Sequence, residues 1–170
     1  GFGIINSLGY AYTAYHNGLY REVGLNILFY IPMNIVGFFM WKRFMDDNVV
    51  IMKGLNKIKA LIVYSGCFLS IIALGFLLSM IKGQNTPYID ASTNMIGITA
   101  TFLMVWRYKE QWILYIVLNV LTIIMWFIRL LNGSSDGSIM VVMWAAFLVN
   151  AIYGYYNWSK NVKKLQGQVQ

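Results

Sequence analysis

Five side chains that could stack on a ligand or hydrogen-bond it lie along one apolar stretch in the second half of the chain. They follow one another at steps of three or four residues: Trp112, Tyr115, Asn119, Thr122 and Trp126. In a helix this spacing places them on one face. An amide such as that of Asn119 is costly in hydrocarbon unless it is hydrogen-bonded. The pattern therefore predicts one wall of a polar, aromatic-lined cavity, with hydrogen bonding between neighbouring helices as the alternative.

Two other apolar stretches carry neutral polar groups at similar spacing. Tyr30 and Asn34 lie in the first half, after Asn6, and Asn150 and Tyr153 lie near the end. Amides that hydrogen-bond and rings that stack suit a neutral or weakly cationic, planar, hydroxylated ligand. We therefore predict a substrate-binding cavity lined by Asn6, Tyr30, Asn34, Trp112, Tyr115, Asn119, Thr122, Asn150 and Tyr153. Trp41 and Trp158 fit an interfacial aromatic belt better.

Groups suited to covalent or metal chemistry are scarce. His16 is the one histidine and Cys67 the one cysteine, so neither a Cys/His metal cluster nor an intramolecular disulfide can form. The sequence contains no HExxH, GxSxG or P-loop motif. We predict no catalytic residue, no metal and no cofactor. Ionisable residues fall in connections or near predicted helix ends, which argues against coupling to protons or Na⁺.

The composition is that of an integral membrane protein. Of the 170 residues, 59% are hydrophobic and 11% are charged, whereas a soluble domain carries about 25% charged residues. The net charge of +7 comes mainly from basic residues after the second and fourth apolar segments and in the C-terminal tail. The positive-inside rule places these parts in the cytoplasm. The charge therefore indicates a topology in a lipid bilayer and not nucleic-acid binding.

Six apolar segments predict six membrane-spanning helices, at residues 1–15, 22–41, 61–81, 90–106, 112–131 and 138–158. Pro32 lies inside the second segment and predicts a kink. Pro87 is well placed to open the fourth helix. The polar connection 42–59 is long enough to include a short interfacial helix.

A weak internal repeat relates the second and sixth segments, because the order Asn, Gly, Trp in residues 34–41 recurs in residues 150–158. The two segments cross in the same direction, which indicates a parallel repeat. We predict an all-α, polytopic membrane protein in which two three-helix bundles are joined by a linking helix. The predicted parts are a first bundle (1–41), a cytoplasmic loop with the linking helix (42–87), a second bundle (88–158) and a cytoplasmic tail (159–170). The first bundle then lacks its first helix, so we expect a further span before residue 1.

Three short runs resemble motifs of the Pnu family of bacterial vitamin transporters. The family motifs WxxW, LNxxT and NxxYG are similar to Trp112-x-x-Tyr115, Leu118-Asn119-x-x-Thr122 and Asn150-x-x-Tyr153-Gly154. The resemblance extends to residues 1–6 and 107–112, and it is strongest to the nicotinamide riboside transporters of the family. Tyr115 departs from the motif, which has a second tryptophan at that place.

The resemblance implies a seven-helix fold related to the SWEET sugar-transporter architecture, in the bacterial inner membrane and with a cytoplasmic C-terminus. It implies facilitated diffusion of nicotinamide riboside by alternating access, for NAD synthesis, with trapping by cytoplasmic phosphorylation. Asn119 and Asn150 would then hydrogen-bond the carboxamide or the ribose, and Trp112 and Tyr115 would stack on the pyridinium. Alternatives left open are a transporter of thiamine or riboflavin, a SWEET-like sugar carrier and a non-transporting membrane scaffold. A homo-oligomer is left open as well.

Overall fold

The computed structural model describes residues 12, 24, 26–46, 49–81, 87–131, 133 and 137–167. The chain divides into two compact units. The first comprises residues 1–51 and 101–107, and the second comprises residues 52–100 and 108–170. The helices are a π-helical turn (Asn26–Tyr30), α1 (Ile31–Arg43), α2 (Lys57–Ser79), α3 (Pro87–Val105), α4 (Gln111–Leu131) and α5 (Gly137–Gly167).

The first unit contains the π-helical turn and α1, and the irregularity lies where the sequence predicts one. Pro32 is the second residue of α1, and a proline there removes a backbone donor and crowds the carbonyl of the preceding turn. Later in this unit, the Trp41 Nε1–H donates to the Met104 carbonyl at 2.9 Å. This bond fixes the end of α1, so Trp41 is anchored by the protein itself.

The connection after α1 forms two short antiparallel strands. β1 (Met45–Asp46) pairs with β2 (Val49–Val50). Arg107 holds this segment, because its Nη1 donates to the Ile51 carbonyl at 3.2 Å and its guanidinium carbon lies 3.8 Å from the Phe44 ring centroid. Arg107 has a φ of +64°, which is rare outside glycine. The described residues between α1 and α2 therefore form a turn, short strands and extended segments, and not an interfacial helix.

The second unit contains α2, most of α3, α4 and α5, and three helix starts follow from the sequence. Asn56 caps α2, since its Oδ1 accepts from the Lys59 N–H at 2.8 Å. Pro87 opens α3 as predicted. At Gly137, a Cβ would lie 2.8 Å from Leu130 Cα, so only glycine allows α5 to begin this close to the end of α4.

Three helices of the described residues are long and apolar enough to cross a membrane: Lys57–Ser79, Gln111–Leu131 and Gly137–Val162. They correspond to the third, fifth and sixth predicted segments. The fourth segment forms α3, and the first lies outside the described residues except for residue 12. α5 continues to Gly167, beyond the predicted end of its segment at residue 158. The prediction of a helical membrane protein is confirmed at this level.

Candidate substrate-binding site

The polar face of α4 is buried, as the spacing of its residues predicts. Asn119 and Thr122 are each 4% exposed, whereas Val117 and Ile124 on other faces are 42% and 51% exposed. The Thr122 Oγ1–H donates to the Leu118 carbonyl at 2.8 Å, one turn earlier in the same helix. Its hydroxyl oxygen can still accept a hydrogen bond. The face therefore offers neutral donors and acceptors inside an apolar helix.

Trp112 begins this face and lies flat against α5 at Gly154. A Cβ on Gly154 would lie 2.7 Å from each of three indole atoms, Cδ2, Cε2 and Cη2, so the ring covers the glycine with one of its faces. The Tyr115 ring is tilted at 59° to the indole, with centroids 6.2 Å apart. One indole face is therefore occupied by the protein, which leaves at most the other face for a ligand ring.

Trp158 belongs to this aromatic cluster as well. Its side chain is 7% exposed, and it meets Trp112 edge to face, with centroids 5.9 Å apart and planes at 78°. Trp158 follows Gly154 by four residues, so both lie on the face of α5 that receives the indole. That spacing from a glycine to a tryptophan is the signal in the sequence that could have identified it.

Asn150 and Tyr153 lie on a different side of α5. Asn150 is exposed and Tyr153 is 67% exposed, whereas Ala151 is 2% exposed. In the second unit their side chains therefore lie outside the face of α5 on which Trp112 packs. The structure brings together Trp112 and Tyr115 with Gly154 and Trp158, and it does not bring Asn150 or Tyr153 into that cluster.

The predicted residues of the first unit lie around the start of α1. The Asn34 Nδ2 donates to the Tyr30 carbonyl at 2.8 Å, so the amide of Asn34 is oriented by its own helix while its oxygen can still accept. The Tyr30 ring contacts Phe29 edge to face, with centroids 5.2 Å apart. Asn6 lies outside the described residues.

Sequence reasoning missed the burial of polar residues in the turn between α3 and α4. Glu110 is 7% exposed and Gln111 is 1% exposed, although they follow charged residues in a predicted connection. The Lys109 N–H donates to the Lys53 carbonyl at 2.9 Å, which joins this turn to the extended segment before α2. Among the described residues, no group of three or more His, Cys, Asp or Glu side chains could hold a metal ion.

Comparisons with known proteins agree with this description. Residues 1–160 match the model of a family described as nicotinamide mononucleotide transporters. A protein of Neisseria mucosa named nicotinamide riboside transporter PnuC is 36% identical over 98% of this chain, and the chain spans 65% of that protein. A protein of the same name from Haemophilus influenzae is 34% identical over 96% of the chain and 70% of its own length.

A solved structure is similar as well. The crystal structure of the vitamin B3 transporter PnuC matches 96% of this chain and 72% of its own chain, with a TM-score of 0.77 and 34% identity. The chain thus spans about two-thirds of the relatives that it matches.

Proposed function

The chain belongs to the nicotinamide mononucleotide transporter family, and from that premise we propose that it moves nicotinamide riboside across the bacterial inner membrane. The family consists of transporters, which agrees with the expectation that the protein is not an enzyme. Relatives named as riboside transporters support the choice of substrate. The observation that supports it most within the molecule is the burial of Asn119 and Thr122 in a helix apolar enough to span a bilayer.

The charge of the predicted site favours the riboside over the mononucleotide that the family description names. Recognition of a phosphate uses arginine or lysine in most proteins. The predicted site residues are all neutral, and the cation at the far end of α4, Arg129, lies 4.8 Å from the Trp126 ring centroid. The buried carboxyl group near Trp112, that of Glu110, would repel a phosphate when ionised. A nucleoside without phosphate fits these groups better.

The proposed roles follow the chemistry of each side chain. Asn119 hydrogen-bonds the carboxamide or the ribose, and Asn150 does the same from α5. Tyr115 and the free face of Trp112 stack on the pyridinium, and Thr122 accepts a hydrogen bond from the ligand. Asn34 and Asn6 are the counterparts in the first half, with Tyr30 and Tyr153 as further aromatic contacts.

The proposed topology has six spans in the sequence, arranged as two three-helix bundles in a SWEET-like parallel repeat around a linking helix. The three membrane-capable helices support this arrangement, and the distribution of basic residues supports a cytoplasmic C-terminus. The bundles rock about the site to give alternating access. Transport is facilitated diffusion, and a cytoplasmic kinase traps the riboside by phosphorylation.

Calorimetric titration and proteoliposome uptake test this function. We expect saturable binding of nicotinamide riboside that an excess of nicotinamide mononucleotide, thiamine, riboflavin or glucose does not displace. In proteoliposomes without a kinase, the riboside should equilibrate to the external concentration and rise no further. Enclosing a riboside kinase with ATP should then convert the equilibrium into accumulation.

Each contrary outcome would support a different alternative function. Displacement by thiamine or riboflavin would indicate another vitamin, and displacement by glucose would indicate a sugar carrier. Accumulation without a kinase would contradict facilitated diffusion. Absence of both binding and uptake with every ligand would support the non-transporting scaffold.

A further inference from the structure

Hydrogen-bonding groups that the protein does not use are concentrated at three consecutive residues. Glu110 Oε2, Gln111 Nε2 and Trp112 Nε1 are buried side-chain atoms with no hydrogen-bond partner among the described residues. At least about 90% of buried polar groups in proteins are hydrogen-bonded. One acceptor and two donors without hydrogen bonds at three adjacent residues therefore require an explanation. These groups suit the binding of a ligand with both hydrogen-bond donors and acceptors at the start of α4.

The surroundings of Glu110 indicate the charge of that occupant. A Cβ on Gly54 would lie 3.8 Å from Glu110 Oε1, 3.6 Å from Val162 Cγ1 and 3.4 Å from Lys109 Cε. The described residues supply no hydrogen-bond partner for Glu110 Oε2, even though Lys109 is adjacent in the chain. A buried carboxylate oxygen without a hydrogen-bond partner is unfavourable. A cation is therefore the occupant that this carboxylate would bind most strongly.

An aromatic side chain follows Glu110 closely along the chain. Trp112, two residues after Glu110, has one indole face covered by Gly154 and its N–H buried without a partner. Rings near an anionic group suit an aromatic cation, which gains both the Coulomb attraction and the cation–π interaction.

We propose that Glu110 is the counter-charge for the pyridinium cation of the substrate, and that Glu110, Gln111 and Trp112 form a cation-binding subsite at the start of α4. The donors Gln111 Nε2 and Trp112 Nε1 bind oxygen atoms of the carboxamide or ribose. This inference rests on the proposed function and extends it, because it makes the positive charge of the ring a determinant of selectivity. The neutral residues Asn119 and Thr122 supply no such discrimination.

A pair of ligands that differ in charge tests the subsite without any substitution. Nicotinamide riboside carries a pyridinium cation, whereas its 1,4-dihydro form has the same substituents and is neutral. Titration of the purified full-length protein should give at least about tenfold tighter binding of the cation, which corresponds to one well-placed charge interaction. Equal affinity for the two forms would overturn the proposal.

Substitutions then assign the effect to Glu110. Glu110→Gln keeps the shape and removes the charge, so affinity for the cation should fall at least about tenfold while affinity for the dihydro form changes less than about threefold. Glu110→Asp retains a carboxylate and should restore part of the preference for the cation. Asp90→Asn, which removes a carboxylate from the first turn of α3, should leave the ratio unchanged.

The remaining outcomes separate this subsite from the proposed function. Equal weakening of both ligands by Glu110→Gln would show a structural role, and unchanged affinities would show that water satisfies these groups; either result overturns the subsite while riboside transport stands. If Glu110→Gln does not fold, the ratio of the two ligands on the unmodified protein and on Glu110→Asp decides the question. Failure of the unmodified protein to bind either form overturns both proposals.

Discussion

Two helices of the second unit, α2 and α4, are both apolar enough to span a bilayer, yet they bury different residues. The buried residues of α2 are Cys67 and Gly75, and its serines at positions 65 and 70 are exposed. The buried residues of α4 are Gln111, Leu114, Asn119 and Thr122. In α2 the small and apolar groups face inward and most of the surface suits lipid. In α4 the polar groups face inward. Burying them in an apolar helix is favourable only if they hydrogen-bond a neighbouring helix or a ligand.

Apolarity therefore identifies a helix that can span a bilayer, and the placement of its few polar groups indicates whether that helix also binds a neighbour or a ligand. The hydroxyl group of a serine at a lipid-exposed position can donate a hydrogen bond to a backbone carbonyl of its own helix. An asparagine amide has two donors and an acceptor, and a helix has no free groups to satisfy them all. Four predictions test this difference with substitutions in α2, in α4 and in the face of α5 that packs on α4.

Asn119→Leu should have the largest effect. Loss of a buried amide that hydrogen-bonds the riboside costs about 2–3 kcal/mol, or roughly a hundredfold in affinity. Folding should be kept, with an unchanged or raised Tm, because leucine suits an apolar helix. Titration calorimetry and thermal unfolding in detergent measure the two quantities.

The matched control for Asn119→Leu is Ser70→Leu in α2. It places the same side chain at an exposed position of an equally apolar helix, and it should change neither affinity nor Tm appreciably. If Asn119→Leu bound the riboside as tightly as Ser70→Leu does, Asn119 would not be part of the site, and packing between helices would explain its burial.

Gly154→Ala should have the next largest effect, because the new methyl group would lie 2.7 Å from three atoms of the Trp112 indole. The ring must move or α5 must shift, and overpacking of this kind costs about 1–3 kcal/mol. We expect a lower Tm and roughly tenfold weaker binding, since the displaced indole no longer presents its free face and N–H in the same place. A variant with unchanged Tm would show that the contact between α4 and α5 is looser than the structure indicates.

Trp158→Phe should have a smaller effect on binding. Phenylalanine keeps an aromatic ring beside Trp112 but shortens the edge that meets it at a centroid distance of 5.9 Å. An aromatic pair contributes about 0.5–1.5 kcal/mol, so affinity should fall by roughly threefold to tenfold. Trp106→Phe, at a half-exposed tryptophan, is the control and should bind normally. Equal affinities in both variants would mean that Trp158 does not position Trp112.

The features of the structure that the sequence predicts correctly depend on patterns of neighbouring residues. The steps from Trp112 to Thr122 fixed the buried face of α4, and the apolar run 112–131 placed that helix within a residue of its observed start at Gln111. Pro87 opens α3 for an equally local reason. Periodicity and proline geometry are properties of a few adjacent residues, so one sequence is enough to read them.

The missed parts depend on contacts between distant residues. The burial of Glu110 requires Gly54 and Val162 to lie beside it, and the cluster of Trp112 with Trp158 requires α4 to pack on one particular face of α5. Asn150 and Tyr153 are exposed in this unit, and their place in the proposed site stays a prediction. Periodicity shows which residues share a face, and it does not show which face meets a neighbouring helix.

Gly66→Ala in α2 should have the smallest effect and the opposite sign to Gly154→Ala. No atom of the described residues lies within 4 Å of a Cβ built on Gly66, and replacing glycine by alanine within a helix gains at most about 1 kcal/mol. We expect a Tm that is equal or slightly higher and an unchanged affinity for the riboside. A clear loss of stability would mean that something outside the described residues packs on that face of α2. Because lipid tails adapt to a single methyl group, the partner would then be another protein surface, and a second copy of the chain would be the first to test by cross-linking and by measurement of mass in detergent.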